Sequence, residues 1–536
     1  MLFSRRWRFM TNPLTKSGLY PTVEDVLSDA GARLAADDVS SALQLVQRFV
    51  KAVNTDPRSI ARVFADHALD DFCRTLGAGV LARFSAHRAA GNADASPEGT
   101  VYLATELYKT GGHTAVLEDL LKTGSFAGRS TILLTNVLGT ANLEAIGQRF
   151  AAYGIDIECA PEGTLEARLI WALERLRALR PKNLLLFNHH EDSVAIAAAQ
   201  PSLAERTIFY HHADHHLCLG VTLTYDLHAD PSPMGYHNCR DHLGVDAAVY
   251  WPLTVEDRGD PGPHRRSLTA GGKLRTCSAG TRNKFEQPYR FQYADLIPKM
   301  LAATQGSHVH IGLLSESTLA RIAEGMRREG IAADRLIYIE WVPSLWHALQ
   351  EQAVDVYIGS FPVTGSRSLV EALGSGTPAI AHKSYMSCFH GGADMLYPQA
   401  FAWEAFDDLL SHLATLDVSA LGQEARWARA RFEQVHMLDA LRRTIMLGQD
   451  AHPAPPLRPL YSDPLQTLLD DIGISAREID RLERDREQLT AKNAELAADA
   501  HALRGALGDI HASRAWRMAC AIRGLAQKVR SAGLPL

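Results

Sequence analysis

No uninterrupted apolar run of about 18 residues occurs anywhere in the sequence, so no segment reads as a membrane span. Charge of one sign is not in excess either. Against 61 acidic residues stand 55 basic ones, a net of −6, which is no footprint for a nucleic-acid binder. Cysteine is scarce and unpaired: Cys73, Cys159, Cys218, Cys239, Cys277, Cys388 and Cys520 form no CxxC. An odd, widely spaced set fits reduced thiols in a cytosolic chain better than a disulfide framework. The 39 Gly and 24 Pro are too few for a collagen-like or mostly disordered chain. The basic start MLFSRRWRFM has no apolar stretch of signal-peptide length behind it. What remains is a globular composition, 46% hydrophobic and 22% charged. At 536 residues the chain is long enough for three to four units with sizeable cores.

The pieces are unlike one another. Residues 1–95 read as helical, with apolar residues at helical spacing in VSSALQLVQRFVKAV (39–53) and a break at AGNADASPEG (90–99). Over 96–255 short apolar runs alternate with amphipathic helices: VYLATEL, STILLTNV, KNLLLFN, RTIFYH. That rhythm predicts βαβ units and a parallel sheet. Residues 256–272 (EDRGDPGPHRRSLTAGG) are a linker by composition. Alternation resumes over 273–450 with LRTCSAG, HVHIGLL, RLIYIEWV, VDVYIGSF and TPAIAH, closed by a helical stretch over 421–447. Two such blocks place a cleft between the carboxyl ends of their sheets.

A second linker covers 451–470, and the clearest periodicity follows over 471–512. Ile479, Arg486, Asn493, Ala500 and Leu507 stand seven apart, and so do Leu482, Leu489, Leu496, Leu503 and Ile510. This a/d heptad predicts a self-associating coiled coil, a homodimer or higher oligomer, with Asn493 favouring two strands. Residues 513–536 carry Arg514, Arg517, Arg523, Lys528 and Arg530 with Trp516, Met518, Ile522 and Leu525 interleaved. A basic amphipathic helix of that kind suits an anionic membrane surface.

Three places hold residues suited to chemistry. Gly111-Gly112-His113-Thr114 follows the first strand and opens a helix, where glycine lets backbone approach a ligand and free N–H groups face an anion. The second place is histidine-rich: nine of the 23 histidines fall between 189 and 242. His211-His212-Ala213-Asp214-His215-His216 follows a strand, at the cleft end. A histidine beside a carboxylate can act as an oriented general base, or bind metal. His212 and Asp214 form the expected pair, with His211, His215 and His113 as further candidates. The spacing matches part of the HxHxDH pattern of metallo-β-lactamase-type hydrolases, but Tyr210 stands where its first histidine belongs.

The third place carries a resemblance. EWVPSLWH (340–347) followed by VDVYIGSFPVTGSRSLVEALGSGTP (354–378) looks like the nucleotide-binding half of the O-linked N-acetylglucosamine transferases and the related bacterial cytoplasmic N-glucosyltransferases. TCSAGTRNKF (276–285) is similar to the strand and loop that present a phosphate-binding lysine in that group. The resemblance implies a GT-B glycosyltransferase: two Rossmann-like domains facing a cleft, here with a helical N-terminal segment and a C-terminal coiled coil. It implies that Lys284 contacts the diphosphate, that the backbone near Val342 and the His347 ring hold the base, and that Ser366, Arg367 and Ser368 open a helix whose N–H groups meet the diphosphate, with Gly365 permitting the close approach; Gly112 of the GGHT turn is a further nucleotide-sugar contact. Glu371 would accept from the ribose hydroxyls. The donor expected is a UDP-sugar as co-substrate, with no metal or other cofactor, its leaving charge met by amides and one cation. Two departures stand out. Arg367-Ser368 replaces a Thr pair, and Val363 stands where a retaining E-x7-E motif would have its first Glu, which favours inversion.

These readings converge on a cytoplasmic, membrane-peripheral transferase acting on a lipid-linked glycan or other cell-surface polysaccharide. A protein O- or N-glycosyltransferase is the alternative within the class. A non-catalytic nucleotide-binding scaffold and a metal-dependent hydrolase are the alternatives outside it.

Overall fold

The computed structural model describes residues 22–56, 59, 63–86, 97–109, 111–126, 128–259, 273–383, 392–448, 453–457 and 464–531. Most of the 256–272 linker and part of the second linker lie outside them. The chain divides into a large unit ending at Asp471 and a second unit from Ile472 onward.

In the large unit, seven strands form one parallel sheet: β1 (Thr100–Ala104), β2 (Ser130–Leu134), β3 (Asp156–Cys159), β4 (Asn183–Phe187), β5 (Arg206–Tyr210), β6 (Leu227–Asp230) and β7 (Ala248–Tyr250). Their spatial order is β3-β2-β1-β4-β5-β6-β7. Six more strands form a second parallel sheet: β8 (Arg275–Ala279), β9 (Ser307–Ile311), β10 (Leu336–Ile339), β11 (Val356–Ile358), β12 (Ala379–His382) and β13 (Ala402–Trp403). Their order is β10-β9-β8-β11-β12-β13. In both sheets the order reverses beside the first strand, which opens a ligand crevice at the carboxyl ends.

The inner strands β1, β4, β5 and β12 are buried on both faces, as a parallel sheet covered by helices requires. The three N-terminal helices, Val23–Ala35, Val39–Thr55 and His67–Ala86, supply one of those covers. Leu43, Val46 and Val50 share a core with Val101, Leu103, Leu184 and Phe209 of the first sheet. The helical segment is therefore part of the first domain's packing. Asp70 fixes it there: its buried carboxylate accepts from the Gly220 N–H (2.6 Å), the Thr222 N–H (2.9 Å) and the Thr222 hydroxyl (2.8 Å).

The two sheets also share a core. One apolar cluster runs from Ile132, Phe187 and Tyr210 through Trp251 to Cys277, Trp346 and Leu373. After the second sheet the chain returns to the first domain. His436 and Leu253 join through the histidine ring (2.8 Å), and Val255 donates to the His436 carbonyl (3.1 Å). Arg429 closes on Asp257 at 2.8 Å.

The heptad segment is one continuous helix, Pro464–Ala512, followed by Arg514–Ser531. Most of the heptad leucines are exposed, Leu489 at 65% and Leu503 at 71%, with Leu482 half-buried. Among the described residues no helix is long and apolar enough to cross a membrane.

Candidate active site

Two adjoining cavities occupy the crevice between the sheets. The first, about 310 Å³, is lined on one side by His113, Tyr210, His212, Asp214 and His215, and on the other by Lys284 and Thr364 to Ser368. The second, about 410 Å³, is lined by Gly111, Gly112, Trp341 to Leu345, Arg367, Ser368 and Glu371. Gly112, Arg367 and Ser368 belong to both, so they form the threshold between them.

The first wall comes from loops at the carboxyl ends of β1 and β5. Gly111, at φ +130°, turns the chain into the helix Gly112–Lys122, a backbone angle open to glycine. That turn aims His113 at the crevice. The His113 and His212 rings lie 4.1 Å apart, with His189 5.2 Å from His113. Burial holds the His113 and His212 pKa values well below the ordinary range, and the neighbouring imidazoles add to it. These three histidines also bring ring nitrogens within 4.8 Å of one another.

The expected pairing within HHADHH is altered by the geometry. Asp214 does not orient His212. Its Oδ1 faces Nδ1 of His215 at 3.3 Å, and its other oxygen accepts from the Ser232 hydroxyl. His212 instead stacks on Phe187 and lies tilted against His113. His211 does not reach the cavity at all. Side chains alternate along an extended chain, so Tyr210 and His212 face the crevice while His211 turns into the core behind the sheet, fully buried against Asp230.

The second wall is built on the helix Ser366–Gly374. Its N-cap is Gly365, and no side chain caps it, so its first N–H groups remain available. Lys284, on the short helix Arg282–Phe285 after β8, points its ammonium into the cavity wall and donates to the Thr364 carbonyl at 2.8 Å. Burial pulls its pKa down to about 8.

Arg367 departs from the simple expectation of a free phosphate cation. Its Nη1 donates to Asp119 Oδ2 (2.7 Å) and to the Thr254 carbonyl (2.9 Å), both in the first domain. Burial raises the Asp119 pKa, and Arg367 opposes that rise. Glu371 lines the larger cavity with one oxygen accepting the Trp346 N–H at 3.1 Å. Val342 lines it as well, but His347 lies outside both cavities, exposed on the first turn of the helix Leu345–Glu351. The aromatic ring at the mouth is Trp341, 63% exposed.

Sequence reasoning passed over Asp119, Thr364 and Ser232. Asp119 and Ser232 carry no local signal, since each acquires its role from a partner far away in sequence. Trp341 sat inside the motif that pointed to His347.

No protein-family model and no curated protein matches the sequence. Among solved structures, HepE from Anabaena in complex with UDP is 14% identical, with a TM-score of 0.48 over 65% of this chain and 98% of that one. A glycosyltransferase from Rickettsia africae is 11% identical, TM-score 0.49, over 65% and 97%. An O-GlcNAc transferase from Thermobaculum terrenum is 12% identical, TM-score 0.44, over 80% and 84%. The chemistry of this cleft rests on its own residues. Its two parallel sheets and shared crevice have the GT-B arrangement of two facing Rossmann-like domains.

Proposed function

We propose that the protein is an inverting glycosyltransferase that moves a sugar from a UDP-sugar to a glycan acceptor, with no metal at the donor site. The observation that supports this best is the 310 Å³ cavity. Three imidazoles and a carboxylate face a lysine and an uncapped helix N-terminus across a space of sugar size. The nucleotide would occupy the larger cavity, against Trp341, Val342 and Glu371, with its diphosphate at the Gly112–Ser368 threshold.

The acceptor oxygen attacks the anomeric carbon, and its proton passes to His215, whose other nitrogen faces Asp214. The bond from the anomeric carbon to the β-phosphate oxygen breaks, and its electron pair leaves with the diphosphate. Lys284 and the N–H groups at Ser366–Ser368 meet that charge without a reorganisation cost. A second reading gives the proton to His212, favoured by its direct place in the cavity wall against His113. A scaffold that merely binds nucleotide has no use for a base opposite the phosphate site.

The acceptor reading rests on the C-terminal segments. A coiled coil that pairs chains and a basic, Trp-bearing tail suit an acceptor held at the inner face of a membrane, a lipid-linked or cell-surface glycan. A protein acceptor is the alternative.

The test is a panel of nucleotide-sugars scored by nucleotide release and thermal shift. A ligand at 100 times its Kd adds about 2.7 kcal/mol of stability. His215→Ala should lower kcat with donor affinity kept. Loss confined to His212→Ala would move the base there. Donor binding without nucleotide release toward any acceptor would favour the scaffold, and no shift with any nucleotide-sugar would defeat the reading.

A further inference from the structure

Behind the catalytic wall lies a group of side chains that the proposed transfer does not use. His211 follows β5, His228 and Asp230 lie on β6, and Cys239 lies in the turn Asn238–His242 that follows the helix Pro233–His237. The local folding explains why they meet. β5 and β6 pair in parallel with Phe209 opposite His228 and Tyr210 opposite Ala229. The His211 N–H continues that ladder to the Ala229 carbonyl at 2.8 Å. Residues two apart on a strand share a face, so His211, His228 and Asp230 project to the same side. The chain after β6 then brings Cys239 over them.

All four residues are completely buried. His211 Nδ1 and Asp230 Oδ1 are 2.9 Å apart, Cys239 Sγ and His211 Nδ1 3.4 Å, Cys239 Sγ and Asp230 Oδ1 3.5 Å, and His228 Nε2 and Asp230 Oδ1 3.6 Å. One ligand atom from each lies within 4.8 Å of all the others. Zinc bond lengths of about 2.0–2.3 Å place tetrahedral ligands roughly 3.3–3.8 Å from one another. Three of the four measured separations fall in or near that range, and the fourth is shorter by a few tenths of an ångström.

Hydrogen bonding within the group leaves much unpaired. Four atoms of the group are buried without a hydrogen-bond partner: Nε2 of His228, which an ion held by the four near atoms would take up, and Nδ1 of His228, Nε2 of His211 and Oδ2 of Asp230, which it would not. Orphaned polar atoms in an apolar interior are costly and call for an explanation. Phe209 packs its ring 5.0 Å from His228 and 5.6 Å from His211, so the surroundings offer no substitute.

We propose that His211, His228, Asp230 and Cys239 bind a zinc ion in a closed, structural site. Two imidazoles, a thiolate and a carboxylate are a zinc ligand set, whereas calcium and magnesium call for oxygen alone. The charges balance: the ion's two positive charges are met by one thiolate and one carboxylate, so the buried group is neutral. On binding, the Cys239 thiol proton leaves to solvent. Four protein ligands leave no open position for substrate, so the ion holds structure. It ties the root of the 211–216 loop to β6, and Gly235 packs so closely there that a Cβ would meet both Asp214 and Asp230. The ion therefore anchors the loop that carries His212, Asp214 and His215. The proposal stands apart from the sugar-transfer reading.

The competing account is a hydrogen-bonded hub on Asp230, with no metal. Full-length protein, produced in zinc-supplemented medium and purified without chelator, decides between them by metal analysis and X-ray absorption at the zinc edge. The expected result is stoichiometric zinc with one sulfur and three light atoms in its first shell. Cobalt replacing zinc should show thiolate-to-cobalt charge transfer. Cys239→Ser should reduce the zinc at least tenfold and remove that band, and His212→Ala should keep both. Protein that stays metal-free after zinc loading overturns the proposal. So does a zinc shell without sulfur, or zinc that survives Cys239→Ser and is lost in His212→Ala, which would assign it to the cavity imidazoles. The absorption spectrum of the unaltered protein decides even where Cys239→Ser fails to fold.

Discussion

Lys284 keeps a cation where burial disfavours one. Its ammonium donates to the Thr364 carbonyl, and its pKa falls to about 8. In the proposed transfer only the charged form stabilises the departing diphosphate. Therefore kcat/KM, which reports the free enzyme, should hold below pH 8 and fall as pH rises through it. Lys284→Arg should retain charge and remove that alkaline limb, since arginine stays protonated. Lys284→Ala should lose roughly 10²–10³ in rate with the fold intact, as for other single electrostatic contacts. Initial rates of nucleotide release across pH check all three, and a Lys284→Ala variant of ordinary activity would remove the residue from the mechanism.

At the scale of elements, the helix Ser366–Gly374 is held at both ends of its role. Its N-terminus faces the cavity, and its last residue, Gly374, lies against the Trp346 indole. A Cβ on Gly374 would fall 2.0 Å from that buried ring. Glu371, one turn earlier, accepts the Trp346 N–H. Gly374→Ala should therefore push the helix away from its neighbour, at about 1–3 kcal/mol for overpacking. Donor affinity should weaken with it, read by thermal melting and nucleotide titration; unchanged melting would mean that the indole yields freely. The same logic applies to the N-terminal helices. Asp70→Ala would leave the buried Gly220 N–H and the half-buried Thr222 N–H and hydroxyl without their acceptor. At about 1–3 kcal/mol per unsatisfied group, the first domain should melt measurably earlier, seen by calorimetry.

At the scale of the whole molecule, Arg367 joins the domains. Its guanidinium spans to Asp119, whose side chain is 3% exposed, while Arg367 itself is 22% exposed. Arg367→Met would strand a buried carboxylate. Fully buried pairs lose about 3–5 kcal/mol when one partner goes, and the partial exposure of Arg367 brings the expected loss to about 2 kcal/mol. Asp119→Asn with Arg367→Met should recover part of it, which a double-mutant cycle measures. The C-terminal segments make a separate prediction. The heptad face and the apolar side of Arg514–Ser531 are exposed, with Leu496 at 53% and Ile522 at 60%. A chain ending at Pro464 should keep nucleotide-sugar binding, become monomeric and stop sedimenting with anionic vesicles. The full chain should sediment at low salt and be released at high salt, because surface attraction is screened. Equal mass and equal vesicle binding for the two would defeat both expectations.

Periodic burial is written locally, so the sequence alone determined the elements that are long or strongly apolar. Runs such as TVYLA, NLLLF and RTIFY became β1, β4 and β5, and the seven-residue repeat became one long helix. Short strands escaped. β6 (LHAD) reads as polar because His228 and Asp230 face a buried cluster, not water. The cleft walls were legible as motifs: GGHT, HHADHH and GSRS all line it. Tertiary structure decided which side chain of each motif faces which way, and with whom it pairs. Alternation along the chain after β5 sent His212 to the cavity and His211 to the core. Loop conformation gave Asp214 to His215, and Asp119, 248 residues away in sequence, took the charge of Arg367. Pairing depends on distance in space, and residue order fixes that only after the chain has folded.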